Sequence, residues 1–263
     1  MFEARGVRGA LLGASLVAFC AAPFVLMPLL SLAGDWSFPD LAPGTLSPRA
    51  WLDFLGGNNP VGRVLLRSSL ISLVVAASCT PIGFLAARFV AYDRGRKRWL
   101  LLAYAPYAFS PVILGTCLLF LYLRLNLAGT LTGVILAQSM FALAFAIVFF
   151  VPFWNRRVLA MEELVYTLGG TRLQAFTRVL LPLSRELLLI CFFQCFLISW
   201  TQYGLTLLIG AGKVQTLPLM VFEYVNEANP YYAALASSLL ILPPALFIVF
   251  NRRLVFTRER PAG

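Results

Sequence analysis

Histidine is absent from this 263-residue chain, and charge is scarce, with only 12% of residues Asp, Glu, Lys or Arg. Without histidine there is no Ser-His or Cys-His nucleophilic pair, no imidazole metal ligand and no general base of the usual kind. Most intramembrane hydrolase chemistry is excluded on that ground. Cysteine is sparse as well, and all five, Cys20, Cys79, Cys117, Cys191 and Cys195, fall inside apolar segments. They read as small core residues, not as disulfides or metal ligands. No Asp or Glu interrupts the long apolar runs, although a carboxylate in such a run is the usual mark of an ion or proton pathway. A phosphate-binding loop is also missing: Gly210-Ala211-Gly212-Lys213-Val214 lacks the upstream glycine and the Ser or Thr that must follow the lysine.

What fills the chain instead is apolar sequence. It is 60% hydrophobic with a mean hydropathy of +0.83, outside the range of a soluble domain and in that of a membrane protein. The net charge of +10 does not suggest nucleic acid, because the basic residues lie between apolar blocks and not along one face of a soluble fold. Six runs approach the roughly twenty apolar residues that span a bilayer: Ala10–Leu32, Ser68–Ala87, Trp99–Leu123, Leu131–Phe153, Leu187–Ile209 and Tyr232–Phe250. The first follows Arg5 and Arg8, as a secretory signal would, but is too long for a cleaved one and is read as a span. The third carries Pro106 and Pro111, which a membrane helix tolerates only where neighbours or water satisfy the freed backbone groups.

Orientation follows from the basic residues. With the N-terminus in the cytoplasm, sixteen of the 21 Lys and Arg lie inside and five, Arg49, Arg63, Arg67, Arg124 and Lys213, lie outside. Both termini are thus expected in the cytoplasm. The long external connection from Gly34 to Arg67, with four prolines and two tryptophans, is expected to cap the outer mouth.

The cytoplasmic connection from Asn155 to Glu186 is the most informative stretch. Glu162 to Leu168 has helical character and stops at Gly169-Gly170, a strong terminator. Thr171-Arg172-Leu173-Gln174 then fits a capping box, so a second helix starts at once and runs to Pro182, where a bend is expected. Helix, break, helix makes a docking knob.

This stretch resembles the signature of the permease subunits of type I binding-protein-dependent ABC importers. That signature has a glutamate followed by two alanines, a glycine six residues after the glutamate, and a Leu-Pro ending thirteen residues after the glycine. Glu163, Gly169, Leu181 and Pro182 stand at those spacings, with Tyr166, Thr167, Leu168, Gln174, Ala175 and Phe176 also typical. Leu164 and Val165 replace the two alanines, a departure that bears on the fit to the ATPase groove. The resemblance implies an all-α protein of six transmembrane helices forming one transmembrane domain, embedded in the lipid of a bacterial cytoplasmic membrane. Its short loop helix would be the coupling helix that docks into an ATPase subunit. On that reading Glu163, Tyr166, Thr167, Leu168, Gly169, Gly170, Leu181 and Pro182 serve coupling. Leu168 merely packs, and Glu163 holds the loop through Arg157, Arg172 or Arg178. The chain is then no enzyme. ATP and Mg belong to the partner ATPase, no cofactor to this chain, and the further partners are a second permease subunit, expected to be related but different, and an extracytoplasmic binding protein.

For the cargo, Trp36-Ser37-Phe38-Pro39 and Thr216-Leu217-Pro218 resemble the subgroup serving polyamines, ferric iron, thiamine and aminoethylphosphonate. Many of those members carry an acidic residue after the tryptophan matched by Trp200, whereas here Thr201 and Gln202 follow, which weakens a polycation. Arg67, Trp200, Gln202 and Tyr203 are candidates for the translocation pathway; snorkelling for Arg67 and an aromatic belt for the tryptophan and tyrosine compete with that role. The alternative is an ion-coupled secondary transporter, which predicts intramembrane carboxylates and no ATPase.

Overall fold

The structure is a computed structural model that describes residues 2–35, 44–57, 59–93 and 95–256. Trp36, Ser37, Phe38 and Pro39 of the subgroup motif lie outside the described residues. Among those described the protein is helical, apart from a small antiparallel ribbon of β1 (Ala33–Asp35) and β2 (Thr45–Leu46). The helices in order are α1 (Phe2–Ser31), α2 (Arg49–Leu55), α3 (Val61–Tyr92), α4 (Arg96–Tyr104), α5 (Pro111–Arg124), α6 (Leu131–Phe150) and α7 (Arg156–Thr167). After them come α8 (Arg172–Ala175), α9 (Leu181–Trp200), α10 (Gly204–Gly210), α11 (Leu217–Asn226) and α12 (Pro230–Phe256).

Five helical stretches among the described residues are long and apolar enough to cross a membrane: Gly13–Ser31, Val61–Tyr92, Leu131–Phe150, Arg172–Trp200 and Pro230–Phe247. A sixth arises if Arg98–Ala108 and Pro111–Arg124, bent by 100° at their junction, count as one span. The chain is an all-α, multi-pass membrane protein. The bend has a local cause. Phe109 and Ser110 are both extended, as the residue before a proline prefers, and Pro111 opens α5 where its missing N–H is no loss. Next to the bend, Tyr107 donates its hydroxyl to the Phe141 carbonyl of α6 at 2.8 Å, which anchors the break to an unbroken helix.

The chain divides into two compact units. The first comprises residues 1–65 and 217–245. Within it Trp51 donates to Ser31 Oγ at 2.9 Å, Tyr224 to Asn59 at 3.0 Å and Tyr232 to Asp53 at 2.5 Å, so indole and phenol groups tie α2 to α1 and α12, and Asn59, beyond the end of α2, to α11. The second comprises residues 66–216 and 246–263. Its core is built where α3, α6, α9 and α10 present small residues to large ones. Ala76, Ala137, Ala142, Ala146, Cys191 and Cys195 are fully buried beside Phe84, Phe150, Leu205 and Ile209. Gly83 faces Ala146 so closely that a side chain there would collide with it, and Gly204 likewise admits Val112. Small residues at helix crossings are the membrane substitute for a hydrophobic driving force.

The expected fifth run, Leu187–Ile209, is divided in the structure. Continuous helix reaches back to Arg172, while Thr201 to Tyr203 separate Trp200 from α10. Nor does the helix break at Pro182, where Phe176–Leu180 forms a π turn just upstream. The Leu181 N–H bonds to the Phe176 carbonyl, five residues back, and the widened turn makes room for a ring that would otherwise clash one turn upstream.

Candidate functional site

The site is built on α7, and its start is fixed by Asn155, whose side chain accepts from the backbone N–H groups of Arg157 and Val158 at 3.0 and 3.2 Å. Asparagine is among the best residues for that position, because its carbonyl satisfies donors the first helical turn leaves orphaned. The other end closes with a Schellman motif: Gly169 N–H bonds to the Tyr166 carbonyl at 3.0 Å and Gly170 N–H to the Val165 carbonyl at 2.8 Å. Gly169 takes φ = 78°, the left-handed conformation a side chain would strain. Both partners of the capping box are then formed: Thr171 N–H to Gln174 Oε1 at 2.8 Å and Gln174 N–H to Thr171 Oγ1 at 3.3 Å.

One face of α7 is inward and the opposite face is apolar yet uncovered. Val158 and Glu162 are buried, whereas Met161, Leu164 and Leu168 point outward, joined by Leu173 on α8. Leu168 is 80% exposed, so the expectation that it merely packs is corrected: it caps the tip of the knob and touches little of its own chain. Leu164, one of the two bulky replacements for alanine, lies on the same exposed stripe.

The glutamate that holds the loop is Glu162, not Glu163, and its arginine is none of the three local ones. Arg88, near the end of α3, places Nη2 2.5 Å from Glu162 Oε1, and the same oxygen accepts the Tyr166 hydroxyl at 2.7 Å. The Glu162 side chain is 3% exposed and that of Arg88 39%, while Glu163 is turned to the outside. The periodicity explains the swap: Val158, Glu162 and Tyr166 recur one helical turn apart, so the carboxylate one residue earlier than the signature glutamate takes the inner face. That hydrogen bond pushes the Tyr166 phenol above its ordinary value of 10, so it remains a donor throughout the physiological range. The Arg88 guanidinium also lies 5.5 Å from the Trp154 ring centroid, and the Trp154 indole donates to the Phe84 carbonyl at 3.0 Å.

The pathway candidates are not brought together as one wall. Trp200 is buried and stacks on Phe196 at 5.6 Å, which makes it a core residue and corrects its assignment to a pathway surface. Sequence cannot separate the two cases, because a helix-end tryptophan looks the same in either. Arg67 is exposed; Gln202 and Tyr203 are half-buried in the gap between α9 and α10.

A residue not singled out from the sequence lies at the centre of the second unit. Gln138 on α6 is buried, donates to Thr206 Oγ1 of α10 at 2.8 Å and accepts from Ser199 Oγ of α9 at 2.5 Å. Ser72 of α3 lies 3.2 Å from Ser199 Oγ, and since the one Ser199 proton is committed to Gln138, Ser72 is the donor of that pair. Four helices thus meet at one neutral hydrogen-bonded cluster. The signal was a lone amide in an otherwise apolar run.

No protein-family model matches the chain. Several proteins do. It is 27% identical over 205 residues to a putative ABC transporter permease protein of Streptomyces antibioticus, covering 74% of this chain and 88% of that protein. It is 26% identical over 259 residues to a sulfate transport system permease protein of Salmonella typhimurium, covering 91% and 89%. It is 27% identical over 248 residues to a molybdenum transport system permease protein of Mycobacterium tuberculosis, covering 87% and 88%. The resemblance read from the loop therefore extends over most of the chain, which is similar along its length to permease proteins of ABC transporters. Its part is that of the membrane-spanning permease, and ATP hydrolysis belongs to a different subunit.

Proposed function

We propose that the chain forms the translocation pathway of an ATP-driven importer and that α7 with α8 is the knob on which the partner ATPase seats. The observation that carries this reading is the stripe of Met161, Leu164, Leu168 and Leu173, apolar and exposed on a short, doubly capped helical pair. An uncovered apolar patch on a rigid polar-rimmed element is the mark of a protein contact. ATP and Mg would be bound by that partner. A second, related permease chain supplies the other half of the pore, an extracytoplasmic binding protein delivers the solute, and both termini face the cytoplasm of a bacterial inner membrane.

The cargo is read as a small polar solute. Trp36-Ser37-Phe38-Pro39 and Thr216-Leu217-Pro218 favour the polyamine, iron, thiamine and aminoethylphosphonate subgroup, while relatives named for sulfate and molybdenum transport favour a small anion. Of these, aminoethylphosphonate and a small anion fit better than a polycation, since Arg63 and Arg67 are exposed one turn apart on α3 and Gln202 and Tyr203 are neutral. Competition by sulfate, aminoethylphosphonate and spermidine for uptake separates the classes.

The docking reading is tested by tagging the chain and measuring the ATPase that co-purifies. Leu168→Glu should lower the co-purified ATPase by about tenfold or more, the loss expected for a central apolar anchor, with unchanged chain in the membrane. Undiminished ATPase would overturn the reading.

A further inference from the structure

We infer that Arg88 and Glu162 form a strut through which the coupling helix turns α3, so that α7 drives a membrane span directly as well as through the chain that follows it. This rests on the docking role proposed for α7 and α8 and assigns it a route into the membrane.

The geometry has two points of attachment. Glu162, in the middle of α7, takes Arg88 Nη2 on Oε1 across 74 residues of sequence, with Tyr166 bonded to the same oxygen. Trp154, immediately before the Asn155 cap of α7, donates its indole N–H to the Phe84 carbonyl of α3. Phe84 and Arg88 are one turn apart on α3, and the Arg88 guanidinium lies over the Trp154 ring at 5.5 Å. One contact would pass on only a push. Two contacts, at the start and the middle of α7, fix its angle to α3, so rotation is transmitted too.

The chemistry makes the strut stiff. Glu162 Oε2 is buried with no hydrogen-bond partner among the described residues, so all that holds the carboxylate charge is on its other oxygen. Drawing α7 away from α3 would strand that charge without its counter-ion, a far costlier event than sliding an apolar contact. An ion pair in such a place adds little stability over apolar residues of similar volume, whereas it adds direction. Meanwhile α7 packs on α8 and the π turn, and these run without a break into α9. The loop therefore grips α3 through side chains and α9 through backbone.

The test is hydrogen exchange on the full complex in nanodiscs, purified through a tag on this chain with its ATPase, with and without ATP and vanadate. In the wild type, trapping should change exchange in both α7 and the α3 segment around Phe84 to Tyr92. In Glu162→Gln the α7 change should persist while the α3 change falls about tenfold, a loss typical of coupling between linked sites. The double variant Arg88→Met with Glu162→Met removes both charges together and is expected to assemble, so it decides the matter if Glu162→Gln does not. Arg88→Lys, which keeps the charge, should retain part of the α3 response. A full α3 response in the assembled charge-less variants would overturn the strut while leaving the docking role standing. If no ATPase accompanies the wild-type chain, the docking role fails and the strut falls with it.

Discussion

Gly169 is where backbone conformation and proposed function meet most directly. Its φ of 78° is set by the Schellman closure of α7, and nothing lies within 4 Å of where a β-carbon would stand. Replacing it therefore introduces strain and no collision, about 1 kcal/mol or somewhat more, too little to unfold the protein and enough to misplace a docking helix. Gly169→Val should leave membrane insertion normal and lower both uptake and stimulation of the ATPase by the loaded binding protein. Unchanged uptake and stimulation would remove the loop from the transmission path. Gly170 differs, because a β-carbon there would stand 2.8 Å from the Val165 carbonyl, so even alanine must disturb the cap. The Gln138 cluster invites a separate measurement. Gln138→Ala leaves Ser199 and Thr206 without their shared partner, and unfolding in detergent should show a loss of about 1 kcal/mol, the scale of hydrogen bonds between membrane helices. These residues also mark what a sequence makes legible. A capping box and a Gly-Gly stop are local and were readable from their spacing. The Arg88–Glu162 pair bridges 74 residues, and only the fold brings it together.

Among the elements, Pro106, Pro111 and Gly169-Gly170 marked true breaks, and polar residues between apolar ones did not. Pro106 and Pro111 marked the interruption of the third run, and the structure turns there through 100°. The break between α9 and α10 escaped notice because Leu205, Leu207, Leu208 and Ile209 continue the apolar pattern past Gln202. At Pro182 the helix does not break, and there is a physical reason. A π turn spreads the adjustment to the proline over Phe176–Leu180, and helix continues through it. That turn holds one residue more than an α-helical turn, and its greater width absorbs the extra residue with little change in facing. Deleting Thr177, which is exposed, should therefore regularise the turn and leave the leucine stripe facing its partner nearly as before. Co-purified ATPase and the amount of chain in the membrane should both hold, and loss of the ATPase would mean that the π turn itself sets the docking direction.

At the scale of the whole chain, what was legible was the class: apolar runs, a helical loop and the sparse charges that separate them. The division into two compact units was not, because the first unit joins residues 1–65 to residues 217–245, and no composition shift marks either boundary. The charge distribution carries a prediction of its own. Reporter fusions after Phe256 and within the loop at Thr171 should be active on the cytoplasmic side and fusions near Gly57 on the outer side, as the excess of Lys and Arg requires. An opposite pattern would reverse the orientation and place the docking knob out of reach of ATP. Assembly follows from a count of parts. One chain carries one knob, whereas nucleotide is enclosed between two ATPase domains that must each be gripped, so a working pore needs two permease chains and two knobs. Native mass spectrometry of the tagged complex should therefore show two permease chains to two ATPase chains, with the second permease differing in mass from this one. A pore made of two copies of this chain would keep the docking role and refute the different partner; a single permease chain carrying two ATPases would refute the one-knob arithmetic itself.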